Sequence, residues 1–275
     1  MSRGERWLKA LADRTSEAAI PSVVTGEASL AGKPSVLLAI VPDANSPYPR
    51  ARRGEVGVRE GLELARTITG IVDADRALAD SDRRAILAVV DVPSQAYGHL
   101  EENLGLHWSL AAAVDAYAQA RTEGHPVVAL VVGTALSGGF LAHGLQANQV
   151  LALDDPGVEI HAMHKPAAAR ITLRTVTELD ELAKRIPPLS YDVRDWASLG
   201  ICDQLVDVKS ADDPSADDVS TVRAALDDAV LRARRGPRDL RGRLDSPGAK
   251  RTRLASRRVR DALTARWAEE PRAPA

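Results

Sequence analysis

The chain has 275 residues, 45% of them hydrophobic, and a formal net charge of −2. That supplies core enough for one large domain or two small ones, and a charge balance that points to neither nucleic acid nor a membrane surface as partner. The single cysteine, Cys202, excludes an internal disulfide and fits a reducing cytoplasm.

The opening stretch, "MSRGERWLKALADRTSEAA", lacks a long apolar segment and reads as a short amphipathic helix, not a secretory signal. No run approaches the roughly 18 apolar residues of a membrane span. Short Val/Ile/Leu-rich runs follow: "SVLLAIVPD" (35–43), "AILAVVDVP" (85–93), "PVVALVVG" (126–133), "QVLALDD" (149–155), "VEIHAM" (158–163) and "QLVDV" (204–208). They do not alternate strictly, which is the pattern of strands covered on both faces. Between them the periodicity predicts helices over 55–78, 100–124, from Gly138 or Gly139 to about Gln146, over 175–186 and over 191–200. The 100–124 helix carries Leu104, His107, Trp108, Ala111, Val114 and Ala118 along one flank and stops at Gly124 before His125 and Pro126. Thr175, with Glu178 three residues on, has capping-box spacing. Strands alternating with helices predict an α/β fold. The Pro- and Arg-rich stretch "ANSPYPRARRG" (44–54) is a loop long enough to be functional.

Two predicted strand ends carry candidate chemistry, as the edge of an α/β sheet should. One is "GTALSGGFLAHG" (133–144). A nucleophile elbow wants G-x-S-x-G, and Ala135 stands where the first glycine belongs before Ser137. A serine nucleophile would need His143, His161 or His164 as base and Asp154 or Asp155 behind it. Alternatively, Gly138 and Gly139 expose bare N–H groups at a helix start, which can hold an oxygen that becomes negative during reaction. A third reading makes them spacers for tight strand-to-helix packing. A phosphate loop would want Lys-Ser/Thr after the glycines, and Phe140-Leu141 stand there instead. The other strand end is "DVPSQAYG" (91–98), where Ser94, Gln95, Ala96, Tyr97 and Gly98 are candidate substrate contacts. "HAMHK" (161–165) holds two histidines, but no cysteine lies near and a strand would point the rings to opposite faces, so no metal site is expected.

These stretches, with "ANQVLALDDPGVEIHAM", resemble the carboxyltransferase branch of the crotonase superfamily. There a D-x-P-G-A-Y-P-G loop, a helix, a G-x-P-V strand and a G-E-G-G-S-G-G-A turn follow in order. Gly133, Ser137, Gly138 and Gly139 match the turn, and Asp91, Pro93, Ala96, Tyr97 and Gly98 the loop. Thr134 replaces the turn's Glu, and Ser94-Gln95 stand at the loop glycine. Over residues 35–208, "LLAIVPDANSPYPRARRGEVGVREG", "VDVPSQAYG" and "PPLSYDVRDWASLG" look more specifically like the gamma subunits of biotin-independent malonate decarboxylases. The resemblance implies a crotonase-like (ββα)n spiral with flanking helices, and an active site shared with a homologous beta subunit. It further implies a malonyl thioester carried on the CoA-like prosthetic arm of an acyl-carrier subunit, with no cofactor or metal bound by this chain. On that reading Gly138 and Gly139 N–H groups hold the enolate left by CO₂, and residues 94–98 orient the substrate. His161 and Tyr97 are the candidate proton donors. Two rival readings remain at this point: a carboxyltransferase subunit that hands CO₂ to biotin, and a non-catalytic partner that completes the fold of its sister.

The resemblance fades beyond 208, which divides the chain into a carboxyltransferase-type domain (1–208) and a linker with a basic helical tail (209–275). Residues 231–275 hold 14 Lys+Arg against 5 Asp+Glu. They read either as a docking arm for an acidic partner or as a solvated helical tail.

Overall fold

A computed structural model describes residues 1–269. The fold is α/β. It starts with helix α1 (Arg3–Leu11), whose Ser2 Oγ accepts from the Glu5 N–H at 3.2 Å as an N-cap. Trp7, Leu8 and Leu11 on α1 are buried. Strands β1 (Arg14–Glu17), β2 (Val23–Leu30) and β3 (Lys33–Ile40) form an antiparallel meander. The β2–β3 hairpin turns on Ala31 and Gly32, both at positive φ (50° and 72°), the geometry that matches strand twist in a two-residue loop. Neither β1 nor β2 is marked by an aliphatic run in the sequence. β1 (Arg-Thr-Ser-Glu) is a polar edge strand, and β2 buries only alternate residues after Thr25.

From β3 the sheet is parallel. Helix α2 (Val58–Ala74) leads to β4 (Ala85–Val92). Helices α3 (His99–Asn103) and α4 (Leu106–Thr122) lead to β5 (Val127–Leu136), and α5 (Ser137–Ala142) leads to β6 (Gln149–Leu153). Then come β7 (Glu159–His161), α6 (Lys165–Ile171), α7 (Val176–Ala183), α8 (Val193–Ser198) and β8 (Gln204–Val206). The eight-stranded sheet runs β1-β2-β3-β4-β5-β6-β8, with β7 paired off the path to β5. The one long helix expected over 100–124 is two, because Gly105 at φ 85° breaks the helical run. The predicted capping box is present: Thr175 Oγ1 accepts from Glu178 N, and Glu178 Oε2 accepts from Thr175 N at 2.7 Å.

Past the boundary expected at 208 the chain stays in contact with the sheet. Helix α9 (Ala216–Arg235) buries Val222, Leu226, Ala229 and Val230 in the same hydrophobic core as the sheet strands. Asp227 on α9 accepts from the Ala31 N–H at 2.6 Å, and Trp7 Nε1 donates to the Ala211 carbonyl at 2.8 Å. Residues 209–235 therefore belong to the main body. α10 (Gly242–Asp245), α11 (Pro247–Thr252) and α12 (Leu254–Glu269) follow, with Ala249 of α11 fully buried, and residues 270–275 of the expected basic tail lie outside the described residues. α1 packs with α9 and α2 packs with α4, so the sheet lies between two helix layers. β4 and β5 are buried at all but one position each, which explains their unbroken aliphatic runs. No described helix is long and apolar enough to cross a membrane.

A polar pair, His143 and Tyr117, lies fully buried in the core. His143 Nε2 lies 3.1 Å from the Val89 carbonyl, so it carries the proton and donates. Nδ1 then accepts from the Tyr117 hydroxyl at 2.9 Å. Burial pushes the His143 pKa down to about 4. The neutral form is thus preferred in the folded chain, while the unfolded chain takes up a proton near pH 6.5. This contribution to stability is complete above pH 6.5 and is lost as pH falls toward 4, by an amount on the order of 3 kcal/mol. Denaturant midpoints should fall between pH 7 and pH 5, and the slope should flatten in His143→Gln. Equal slopes in both proteins would remove His143 as the cause.

Candidate active site at two strand ends

The carboxyl ends of β4 and β5 come together through one side chain. Asp91 sits at an irregularity in the β4–β5 register. Its Oδ1 accepts from Thr134 N at 3.2 Å and its Oδ2 from Gly4 N at 3.1 Å. A Cβ on Gly133 would stand 2.2 Å from Asp91 Oδ1, so the first glycine of the turn is bare to admit this carboxylate. Beyond it, β5 forks: residues 128–131 pair with β6 and residues 134–136 with β7.

The glycine turn and the 94–98 loop touch directly. Gln95 Oε1 accepts from the Gly138 N–H at 2.8 Å. A Cβ on Gly139 would meet Val92 Cγ1 at 2.5 Å and the Ser94 carbonyl at 2.6 Å, whereas one on Gly138 finds nothing nearer than 3.3 Å. A side chain at 139 would thus collide with the loop, while the Gly138 N–H is taken up by Gln95. The loop is braced from behind by residues 55–58: Val56 N donates to Ser94 O (3.0 Å) and Ala96 N to Val56 O (2.7 Å). The Ala96 N–H is therefore already used. Tyr97 is exposed, and the Arg50 guanidinium lies 4.1 Å above its ring centroid while Arg50 Nη1 pairs with Glu55 Oε2 at 3.0 Å. Gly98 starts α3, whose Glu101 is buried with Oε2 accepting from Val58 N at 3.0 Å; burial raises its pKa. Arg50 and Glu101 were not singled out from the sequence, where only the long 44–54 loop gave a signal.

Ser137 has φ 62°, a left-handed conformation rare outside glycine and shared with nucleophile elbows. Its hydroxyl donates to the Ala162 carbonyl at 3.2 Å. No imidazole takes that proton. His143 is buried with both nitrogens engaged. His164 is the residue before α6. The His161 ring is stacked on Tyr191 (centroids 4.1 Å, 14° between planes) and edge-on to Trp196, and its Nδ1 is within hydrogen-bond range of the Met163 backbone. Burial lowers the His161 pKa, and the Lys165 charge adds to that. The structure therefore joins Ser94, Gln95, Gly138 and Gly139, and holds His161 in an aromatic nest of its own. A cavity of about 350 Å³ beside that nest is lined by Asp154, Glu159, Lys165, Asp180, Tyr191 and Arg194, and includes none of residues 94–98 or 137–139.

The meeting point of the two loops lies beside an exposed apolar face. Tyr97, Leu100, Leu104, Trp108 and Leu141 stand on or next to α3, α4 and α5, and Trp108 is 74% exposed. The flank of the 100–124 segment identified from periodicity thus points outward, while Leu106, Ala113, Tyr117 and Ala120 face the core. Single exposed apolar residues are ordinary; it is contiguous apolar patches that mark interaction sites.

Residues 51–267 match the family described as malonate decarboxylase gamma subunit. A curated relative from Malonomonas rubra, "Malonyl-S-ACP:biotin-protein carboxyltransferase MADD", is 34% identical over 189 residues; these are 68% of this chain, and the chain spans 65% of that protein's length. In a Pseudomonas malonate decarboxylase hetero-tetramer solved in complex with coenzyme A, one chain superposes with a TM-score of 0.90 and 49% identity, covering 97% of this chain and 100% of that one. A Pseudomonas MdcD-MdcE hetero-dimer gives 0.86 and 48%, covering 97% and 99%. At 19% identity and a TM-score of 0.61, over 86% of this chain and 43% of its own, the transcarboxylase 12S core shares the fold.

Proposed function

The chain belongs to the malonate decarboxylase gamma-subunit family, and from that premise we propose that it decarboxylates a malonyl thioester together with a homologous beta subunit. The substrate would be carried on the CoA-like arm of an acyl-carrier subunit, and the setting would be cytoplasmic. Breaking the C–C bond to CO₂ leaves its electron pair on the α-carbon, delocalised onto the thioester oxygen as an enolate. A preorganised donor 2.7–3.1 Å from that oxygen stabilises the charge as it forms. The Gly138 N–H is the donor assigned here. The observation that carries this reading is the 2.8 Å bond from Gly138 N to Gln95 Oε1, because a side-chain amide oxygen already sits where an enolate oxygen would be held. The Ser94–Gly98 loop would orient the thioester, with Tyr97 at the exposed rim. Tyr97 is also the better-placed proton donor to the enolate, since His161 is turned to Tyr191 and made less basic by burial. A second reading, transfer of CO₂ to a biotin protein, has the Malonomonas relative in its favour.

The test is conversion of malonyl-carrier to acetyl-carrier by this chain with its beta subunit. Release of free CO₂ without added biotin protein supports decarboxylation; turnover only with a biotinylated acceptor moves the assignment to carboxyl transfer. Ser137→Ala in the same assay should keep turnover within a few-fold, because it removes one hydroxyl bond to Ala162 and leaves every backbone donor in place. Abolished turnover, with an acyl adduct trapped on the wild-type serine, would move the chemistry to the hydroxyl.

A further inference from the structure

Positive charge collects at the opposite end of the sheet. A cavity of about 270 Å³ opens at the amino ends of β4, β5 and β6, lined among others by Asp80, Arg121, His125, Asn148, Arg234 and Arg238. β5 is 10 residues long, so the cavity lies roughly 30 Å from Ser137 at ~3.3 Å per residue. Three guanidinium groups line it, and Asp80 is its one carboxylate. That carboxylate is already shared, with Oδ1 3.1 Å from Arg83 and Oδ2 bonded to Arg238. Arg234 donates only to backbone, to the carbonyls of Asp80 (3.1 Å) and Arg83 (2.9 Å). Arg121 is 7% exposed; Nη1 donates to the Arg238 carbonyl at 2.8 Å, and the buried Nε has no partner. Burial pushes both guanidinium pKa values down, against weak attraction from Asp239 for Arg121 and from Asp82 for Arg234. His125 offers no compensation, since its Nδ1 faces the Arg84 carbonyl at 2.9 Å and burial keeps it neutral. The adjoining cavity of about 300 Å³ is different: its Arg232 and Arg243 share it with Asp203 and Asp239.

A buried cation such as Arg121 without an anion bonded to it is costly. We infer that the cavity at the amino ends of β4–β6 binds a small dianion of the phosphate class, free phosphate or a phosphomonoester, between Arg121, Arg234 and Arg238. Guanidinium forks match phosphate oxygens, and donors arriving from three elements suit a tetrahedral ion. The cavity exceeds a bare phosphate ion, which leaves room for a small esterified group. The ligand would join α4, α9 and the loop at Arg238, and so steady the chain where it enters α10–α12.

The full chain, titrated with inorganic phosphate against chloride at constant ionic strength, should show a saturable rise in unfolding temperature. Malonate should give no comparable rise. Glycerol phosphate separates the two sources: tighter binding than phosphate assigns a monoester, weaker binding the free ion. Arg121→Met keeps the packing and removes the charge. Arg238→Gln acts at a half-exposed position and keeps the test valid if the first variant fails to fold. Each should weaken phosphate binding by about tenfold or more, and Arg66→Gln on α2 should not. No saturable shift, an equal shift with malonate, or unchanged affinity in the folded arginine variants overturns the inference.

Discussion

Gln95→Glu should reduce turnover on the order of a hundredfold or more while leaving the fold intact. The change is isosteric, so the new carboxylate can keep the bond to the Gly138 N–H that Gln95 Oε1 makes at 2.8 Å. A charged acceptor holds that donor roughly twice as strongly as a neutral one. It also places a negative charge where the enolate oxygen must form, and beside the substrate's own carboxylate. Both effects oppose the transition state in a site where losing one oxyanion donor already costs about 3 kcal/mol. A pH signature separates this from misfolding: activity relative to wild type should recover as pH falls toward the carboxylate range, about 4.3 for an unperturbed Glu. Gln95→Ala, which uncovers the N–H without adding charge, should stay within about tenfold of wild type. Unimpaired turnover in Gln95→Glu, measured on the assembled enzyme, would discard Gly138 as the donor.

Trp108→Glu should weaken association with the beta subunit by a hundredfold or more, and the chain without its partner should be inactive. Tyr97, Leu100, Leu104, Trp108 and Leu141 are left exposed by the described residues of the chain. Obligate interfaces bury about 2,000 Å² or more and concentrate their energy in a few aromatic anchors. At 74% exposure, Trp108 contributes little to the chain's own core, so its replacement should leave the unfolding midpoint nearly unchanged. Calorimetric titration of partner into variant reads the effect. Native affinity in Trp108→Glu, or full turnover by the isolated chain, would place the interface elsewhere.

The parts of the fold that could be read in the sequence are those with one physical cause. Buried parallel strands need aliphatic runs, and all six strands from β3 to β8 lie within or across the runs identified for them. β2 escaped because "VVTGEASL" has Thr, Glu and Ser on its open side and a Gly on its buried one, and β1 because a four-residue polar edge strand carries no apolar pattern. The break at Gly105 was hidden by the helical periodicity on either side. At the candidate site, sequence located both strand ends but not how tightly each of the two adjacent glycines is packed. That depends on where Val92 and the Ser94 carbonyl lie relative to Gly139. His161 lies one residue from the Ala162 carbonyl that Ser137 contacts, yet its ring direction is set by Tyr191 and Trp196, some 30 residues further along. The basic end was visible as composition. That α9 is a core helix was not, because its buried positions, Val222, Leu226, Ala229 and Val230, sit among charged residues in a stretch the resemblance does not reach.

The strand order gives this fold a direction in time. Apart from β7, each strand lies beside its predecessor in sequence, so the sheet can grow from one edge as the chain emerges. The hairpin at Ala31-Gly32 is local and forms early, since short loops close fastest. The helix that completes one face comes after every strand: α9 packs on β2, β5, β6 and β8, and is not finished until residue 235. Until then the aliphatic strands on that side are screened mainly by α1. A nascent or truncated chain ending before α9 is the form that offers bare strand surface to its neighbours, so the completion of α9 is also the step that protects the chain from aggregation.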